Sequence, residues 1–349
     1  MKITIRKPLG YSQIGRKDQQ EDAVWPLFAD VSKGNRCFVL CDGVGGSEHG
    51  EVASQTSSKT IGEYLSKVIA ERDYVTEDDV QEAIKCAYDE LEKIDNPSED
   101  GTISMATTLT CVCLHKDGVV AAHIGDSRIY AVRPGQGLLY QSADHSLVNA
   151  LLQAGEITIE EAKNFPRKNV ITKAIQPNSK KRFNAEVYNL TDIQSGDYLF
   201  LCCDGVLEQL TNDRLIEILS MDISDEDKIK LLEEESTDRT KDNYTAYLIP
   251  IDKVKGTSDV ETANLESELE CEVLALEETP DTKVSSEPSE PQNVTLPFHY
   301  FNKRLIIICL VIVVLAALAI IWWKLDIDIF GLFEQSDSET SQGNENAVI

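Results

Sequence analysis

Phe38-Val-Leu-Cys-Asp-Gly-Val44 and Phe200-Leu-Cys-Cys-Asp-Gly-Val206 agree at five of seven positions. Both read as an apolar strand that ends in Asp-Gly. A carboxylate placed there stands at the edge of a rigid sheet, and the glycine after it permits a sharp turn and close approach by a ligand. Two further acids stand beside strand-like runs, Asp126 in His123-Ile-Gly-Asp-Ser-Arg128 and Asp242 in Lys241-Asp-Asn-Tyr-Thr245, and Asp22 follows Glu21 nearer the start. Singly, each aspartate reads as a turn residue or a helix cap. Jointly, carboxylates at successive strand ends repel one another unless cations lie between them. All-oxygen donors of this kind suit Mg2+ or Mn2+, with Ca2+ also compatible, and do not suit Zn2+.

Working outward, apolar runs at 37–41, 109–114, 119–124, 129–132, 198–203 and 246–251 predict strands. Lys116-Asp117-Gly118 between two of them predicts a hairpin turn. Helical spacing covers 52–69, 80–91, 147–154, 158–165, 215–219 and 228–235. Strands come partly in successive hairpins, which disfavours a parallel Rossmann-like sheet and predicts one mixed α/β domain over residues 1–252.

The chain has 349 residues, 42% of them hydrophobic, with 33 Lys and Arg against 60 Asp and Glu, a formal charge of -27. A field of that sign repels nucleic-acid backbones and anionic headgroups, so no nucleic-acid partner is expected. The nine cysteines form no CxxC pair, and Cys37, Cys41, Cys111, Cys113, Cys202 and Cys203 sit in apolar runs as buried, reduced thiols. The first fifteen residues lack the apolar stretch of a secretory signal. These features place residues 1–252 in a reducing cytosol.

Residues 253–297 carry eleven acids against three Lys, with Pro280, Pro288 and Pro291. They read as an acidic disordered linker, because they cannot bury enough apolar surface to offset their ordering entropy. Within it, Leu265, Leu269, Val273 and Leu276 have some helical spacing. Residues 298–304 form a juxtamembrane segment with Lys303 and Arg304. The next nineteen residues, 305–323, carry no charge and end in Trp322 and Trp323. Their length nearly matches a hydrocarbon core roughly 30 Å thick, and the aromatic and basic flanks fit its two surfaces, so they read as a transmembrane helix. Two basic residues face Lys324 from the other side, which puts the N-terminal domain in the cytoplasm and the polar acidic tail, 324–349, outside.

In order along the chain stand Arg16-Lys-Asp-Gln-Gln-Glu-Asp22, Asp42-Gly-Val-Gly-Gly-Ser-Glu-His-Gly50, Ala106-Thr-Thr108, Gly125-Asp-Ser-Arg128, Asp144-His-Ser-Leu147, Asn169-Val-Ile-Thr172, Cys203-Asp-Gly205 and Asp242-Asn-Tyr-Thr245. This ordered set resembles the PPM (phosphatase 2C-like) metal-dependent Ser/Thr protein phosphatases in their bacterial form, over about residues 10–251. The resemblance implies an α+β fold, a four-layer αββα sandwich of two antiparallel sheets with outer helices. It also implies a cleft holding two Mn2+ or Mg2+ ions and a third, weaker one. By matched position Asp42 would bridge two ions, the Gly43 carbonyl would ligate one, and Asp204 and Asp242 would hold the other. Asp126 would serve the third, and Glu21 or Asp22 would act through water or as a near ligand. Residues 155–174 would form a flap beside the cleft. A metal-bridging hydroxide would attack phosphorus in line and release the Ser or Thr alcohol, with no protein nucleophile. Consistent with that, no Cys is followed six positions later by Arg, and neither a Walker A loop nor a Gly-x-Ser-x-Gly elbow is present.

The family's phosphate-gripping arginine falls at Lys17, with Arg16 beside it, so either cation is the candidate phosphate binder. Val44 stands where animal members carry a histidine, and Phe165 replaces a histidine of the flap. His49, His123 and His145 read as an exposed helix start, a core residue and a structural hydrogen-bonding residue. Asn243-Tyr-Thr245 fits a glycosylation sequon that a cytosolic domain would not use. The expectation is a membrane-tethered Ser/Thr phosphatase acting on phosphoserine and phosphothreonine proteins, opposing a Ser/Thr kinase. The alternative is a catalytically weak scaffold or phosphoprotein-binding module.

Overall fold

The computed structural model describes residues 2–256 apart from 46, 48, 96–104, 164 and 167–169. The elements run β1 (Lys2–Ile5), β2 (Leu9–Gln13), β3 (Asp22–Trp25), β4 (Cys37–Asp42), α1 (Gly50–Arg72), α2 (Glu77–Ile94), β5 (Leu109–His115), β6 (Gly118–Ile124), β7 (Arg128–Arg133) and β8 (Gly137–Gln141). Then follow α3 (Leu147–Gln153), α4 (Ile159–Lys163), β9 (Glu186–Leu190), β10 (Tyr198–Cys202), α5 (Asp204–Leu207), α6 (Asn212–Ser220), α7 (Asp225–Ser236) and β11 (Tyr244–Lys255).

The strands form two antiparallel sheets. One is ordered β1-β11-β10-β7-β8, with β2 also on β11; the other is β3-β4-β5-β6-β9. Helices α1 and α2 lie over the second sheet, and α6 and α7 over the first. The expected sandwich of two sheets and outer helices is therefore present. Strand alternation explains the apolar runs. Phe38 and Leu40 of β4 face the core shared with Phe200 and Tyr247 of the other sheet, and Phe38 meets the Tyr247 ring edge-on at 5.6 Å. Cys37, Val39 and Cys41 face the second core, beneath α1 and α2. A strand covered on both faces is apolar throughout rather than at alternate positions.

The six cysteines of the apolar runs are buried and free. In the second core, Cys113 Sγ lies 3.5 Å from Cys37 Sγ and 3.8 Å from Cys111 Sγ. The β5–β6 hairpin turns where expected, with Gly118 at φ +144°. Helix α2 starts in a capping box, Thr76 and Asp79 each bonding the other's backbone amide.

The domain boundary needs correcting. Strand β11 continues to Lys255, and Lys253, Val254 and Lys255 pair with Thr4, Ile3 and Lys2. Backbone pairing with β1 holds these residues in the sheet although two of the three are lysines, which is why composition assigns them to the linker. The short strands β1, β2, β3, β8 and β9 were not expected either, because each is four or five residues long and most face solvent on one side. The rest of the linker, the juxtamembrane segment, residues 305–323 and the tail lie outside the described residues. Among the described residues no helix is long and apolar enough to cross a membrane.

Candidate metal-dependent active site

The two Asp-Gly ends meet because β4 and β10 are interior strands of facing sheets. Asp22 opens β3 directly opposite Asp42, the last residue of β4. Asp204 follows β10, Asp126 follows β6, and Asp242 lies two residues before β11. Asp42, Gly43, Asp126, Asp204 and Asp242 line one cavity of about 220 Å3 together with Val44, Gly45, Thr108 and Ile171.

The turns are held by specific bonds. The Asp42 amide donates to Thr108 Oγ1 at 3.1 Å, while Thr107 Oγ1 donates to the Asp42 carbonyl at 2.8 Å. At Gly205 a side chain would come within 1.9 Å of the Asn243 carbonyl oxygen, so only glycine lets the Asp204 turn approach the start of β11. Burial first, and then the neighbouring carboxylates, push Asp22, Asp42, Asp126 and Asp204 above the usual carboxylate range. Packing carboxylates this closely is unfavourable without positive charge among them.

The donor set fits divalent cations. Asp22 Oδ1 is buried without a hydrogen-bond partner, and Asp22, Asp42 and Cys203 lie within ligating distance of one another. Apart from that one thiol, the groups are hard oxygens, suited to Mg2+ or Mn2+.

The protein phosphatase 2C family model matches residues 9–231, more than half of the chain. This chain belongs to the protein phosphatase 2C family. It is similar to the protein phosphatase PhpP of Streptococcus pneumoniae (serotype 2, strain D39), with 35% identity over 202 residues, 57% of this chain and 78% of that protein. The crystal structure of the Ser/Thr phosphatase Stp1 from Staphylococcus aureus is 28% identical, with a TM-score of 0.58 over 73% of this chain and 98% of the other. The fold is shared as well with the catalytic domain of the Ser/Thr protein phosphatase PstP in complex with two manganese ions, at 24% identity, TM-score 0.57, and 72% and 100% coverage. This phosphatase 2C is accordingly a protein-serine/threonine phosphatase.

The structure separates the two candidate phosphate cations of this phosphatase. Arg16 is exposed and donates to the Asp238 carbonyl at 2.8 Å. Lys17 Nζ lies 2.9 Å from Asp242 Oδ1 and 3.3 Å from Glu21 Oε2. It also approaches Gly45, whose side chain, if it had one, would sit 3.6 Å from Nζ. His49 precedes α1 and is exposed. His123 and His145 are buried.

Asn243 stands in the sequence both in the Asp242-Asn-Tyr-Thr245 motif and in a sequon, with no contact assigned to it, yet it organises the site. It is buried, its Oδ1 accepts from the Glu21 amide at 2.8 Å, and its Nδ2 donates to the Ile14 and Gln19 carbonyls. These bonds dock the 14–21 segment, with Lys17, onto the start of β11. Adjacency to Asp242 was the one sequence signal for this role. Thr108, Gly205 and Cys203 were quoted in motifs without an assigned contact. Cys203 Sγ lies 3.3 Å from Asp22 Oδ2.

Proposed function

We propose that this phosphatase acts at a membrane, with a cytoplasmic catalytic domain, on phosphoserine and phosphothreonine proteins, and that it opposes a Ser/Thr kinase. The chemical part of this reading is carried by one observation: Asp42, Asp126, Asp204 and Asp242 come from separate chain segments and line one cavity, with Lys17 beside Asp242. Asp42 and the Gly43 carbonyl would hold one cation, with Asp42 shared to a second held by Asp204 and Asp242. Asp126 would serve a third, weaker position, and Glu21 and Asp22 would complete the acidic wall. The two manganese ions of the PstP catalytic domain support Mn2+, and Mg2+ suits the same donors. When bound, two such ions lower the pKa of an attacking water and offset charge on the phosphoryl oxygens.

The chain's own residues set the remaining conditions. Lys17 supplies a point charge for the substrate phosphate where an arginine would offer a two-pronged fork. Val44 puts an apolar side chain at the cavity wall, so the leaving alcohol finds no protein acid there. The convergence of the carboxylates favours turnover over a scaffold role. The membrane part rests on the nineteen uncharged residues 305–323 and their basic flank, Lys303 and Arg304.

The test is phosphothreonine-peptide hydrolysis by the full-length chain with Mn2+, Mg2+ or EDTA, beside Asp204→Asn. Turnover should require the metal and fall by about a thousandfold in the variant, the loss typical of removing one electrostatic contact to a transition state. A folded chain that turns over equally well in EDTA would refute the metal-site reading. One that binds Mn2+ without turnover would point to the scaffold.

A further inference from the structure

Gly125 precedes Asp126 by one peptide bond and is tightly held. Its φ is +103°, and a side chain there would come within 2.7 Å of Thr108 Cγ2. His145 engages both backbone polar groups of this glycine. The His145 amide donates to the Gly125 carbonyl at 2.8 Å, and the Gly125 amide donates to His145 Nδ1 at 3.1 Å. An accepting ring nitrogen carries no proton, so the imidazole proton sits on Nε2 and is donated to Glu186 Oε2 at 3.2 Å. Burial, with His123 second, lowers the His145 pKa to about 4 and keeps the Nδ1 lone pair available.

His123, His145 and Glu186 lie within ligating distance of one another, but their geometry does not suit a shared ion. The two imidazoles stack at 4.5 Å with their planes 8° apart. In-plane lone pairs of parallel stacked rings do not converge on one point, and His145 Nδ1 is already engaged. The stack instead fixes the His145 ring, and His123 Nε2 donates to the Ala143 carbonyl at 2.8 Å, two residues upstream.

The backbone from the His145 carbonyl to Leu147 holds the returning limb of the 155–174 segment. The Thr172 amide donates to the His145 carbonyl at 2.7 Å, and the Leu147 amide to the Val170 carbonyl at 2.8 Å. Ser146 forms a β-bridge with Ile171, and Ile171 lines the carboxylate cavity.

We propose that His145 is a positioning residue that couples this limb to the Asp126 carboxylate, and so controls loading of the weakest cation position; the proposal rests on the metal-site reading above. Removing the Nδ1 acceptor leaves the buried Gly125 amide unpaired and frees the peptide that aims Asp126.

The experiment compares His145→Asn with His145→Gln in the full-length chain. Asn carries an acceptor near the place of Nδ1, and Gln carries one near the place of Nε2. Mn2+ binding is read by titration calorimetry beside phosphothreonine-peptide kinetics and thermal midpoints. In His145→Gln the weakest Mn2+ step and kcat should each fall about tenfold, as for loss of a group supporting a metal ligand. The stronger steps should hold while the thermal midpoint falls by only a few degrees, the cost of one unpaired buried amide, and His145→Asn should stay within about twofold of the parent. Equal losses in both variants, or a drop in every step together with the midpoint, would make His145 merely structural and overturn the proposal. So would parental behaviour in both. A parent chain with no Mn2+ isotherm overturns the metal-site reading itself, and is told apart because no step exists to be weakened.

Discussion

Lys17 and Arg16 are adjacent cations with opposite fates. Asn243 docks the 14–21 segment through the Ile14 and Gln19 carbonyls, which presents Lys17 to Asp242 and Glu21 and turns Arg16 towards Asp238. Lys17→Ala should therefore lower kcat/KM for a phosphopeptide by about ten- to a hundredfold, the worth of a charged hydrogen bond at about 1.5–3 kcal/mol. Lys17→Arg should keep or improve it, since a fork grips phosphate oxygens in pairs. Arg16→Ala should stay within about twofold, the scale of an exposed contact. If Arg16→Ala proved the damaging change, the assignment would have to be exchanged.

Among the elements, the N-terminal strands depend on a link to α7. Arg6 follows β1 and bonds Asp225, the first residue of α7, through Nε at 2.5 Å and Nη2 at 3.1 Å. The Tyr198 hydroxyl adds a bond to Asp225 Oδ1 at 2.9 Å. Burial alone would raise the Asp225 pKa, but the bonds from Arg6 and Tyr198 outweigh it and hold the carboxyl below its usual value. A folded-state pKa below the unfolded one contributes stability that is present above about pH 4 and lost as pH falls through the folded value. Asp225→Asn should thus cost about 1 kcal/mol at neutral pH, a partly exposed pair being screened by solvent. The gap between variant and parent should narrow as pH falls below about 4. Urea melts at pH 7 and at acid pH would show this, and a gap that stayed constant with pH would rule out the ionic account.

For the whole molecule, the proposed membrane tether predicts where the activity is spent. A tether of forty-odd residues would confine the catalytic domain near its anchor and raise its effective concentration towards neighbours there. Full-length protein in vesicles should dephosphorylate a membrane-anchored phosphothreonine substrate faster than a soluble one, and sodium chloride should change the ratio little because no net attraction between charges drives it. Equal rates on both substrates would remove the case for a tether. Metal belongs at this scale too. Cations among carboxylates that repel one another bind only the folded state, so Mn2+ at a hundred times its dissociation constant should add about 2.7 kcal/mol of stability per site. A thermal midpoint unmoved by EDTA would contradict that.

The apolar runs and their Asp-Gly ends determined the interior strands of both sheets, because a strand buried on two faces must be apolar along its whole length. The spacing of Val80, Ile84, Ala87 and Leu91 likewise determined the buried face of α2, which packs those four residues. The acidic set Asp22, Asp42, Asp126, Asp204 and Asp242 was legible for a related reason: several carboxylates at strand ends need a common explanation. Edge strands such as β1 and β8 were not legible, since they are short and held by backbone pairing that leaves little trace in side-chain pattern. The placement of Lys17 rather than Arg16 beside Asp242, the docking role of Asn243 and the clamp of His145 on Gly125 were decided only by tertiary structure. Each depends on contacts between residues 20 to more than 200 positions apart, and hydrogen-bond direction across such distances is set by how the sheets pack, not by any local run of residues.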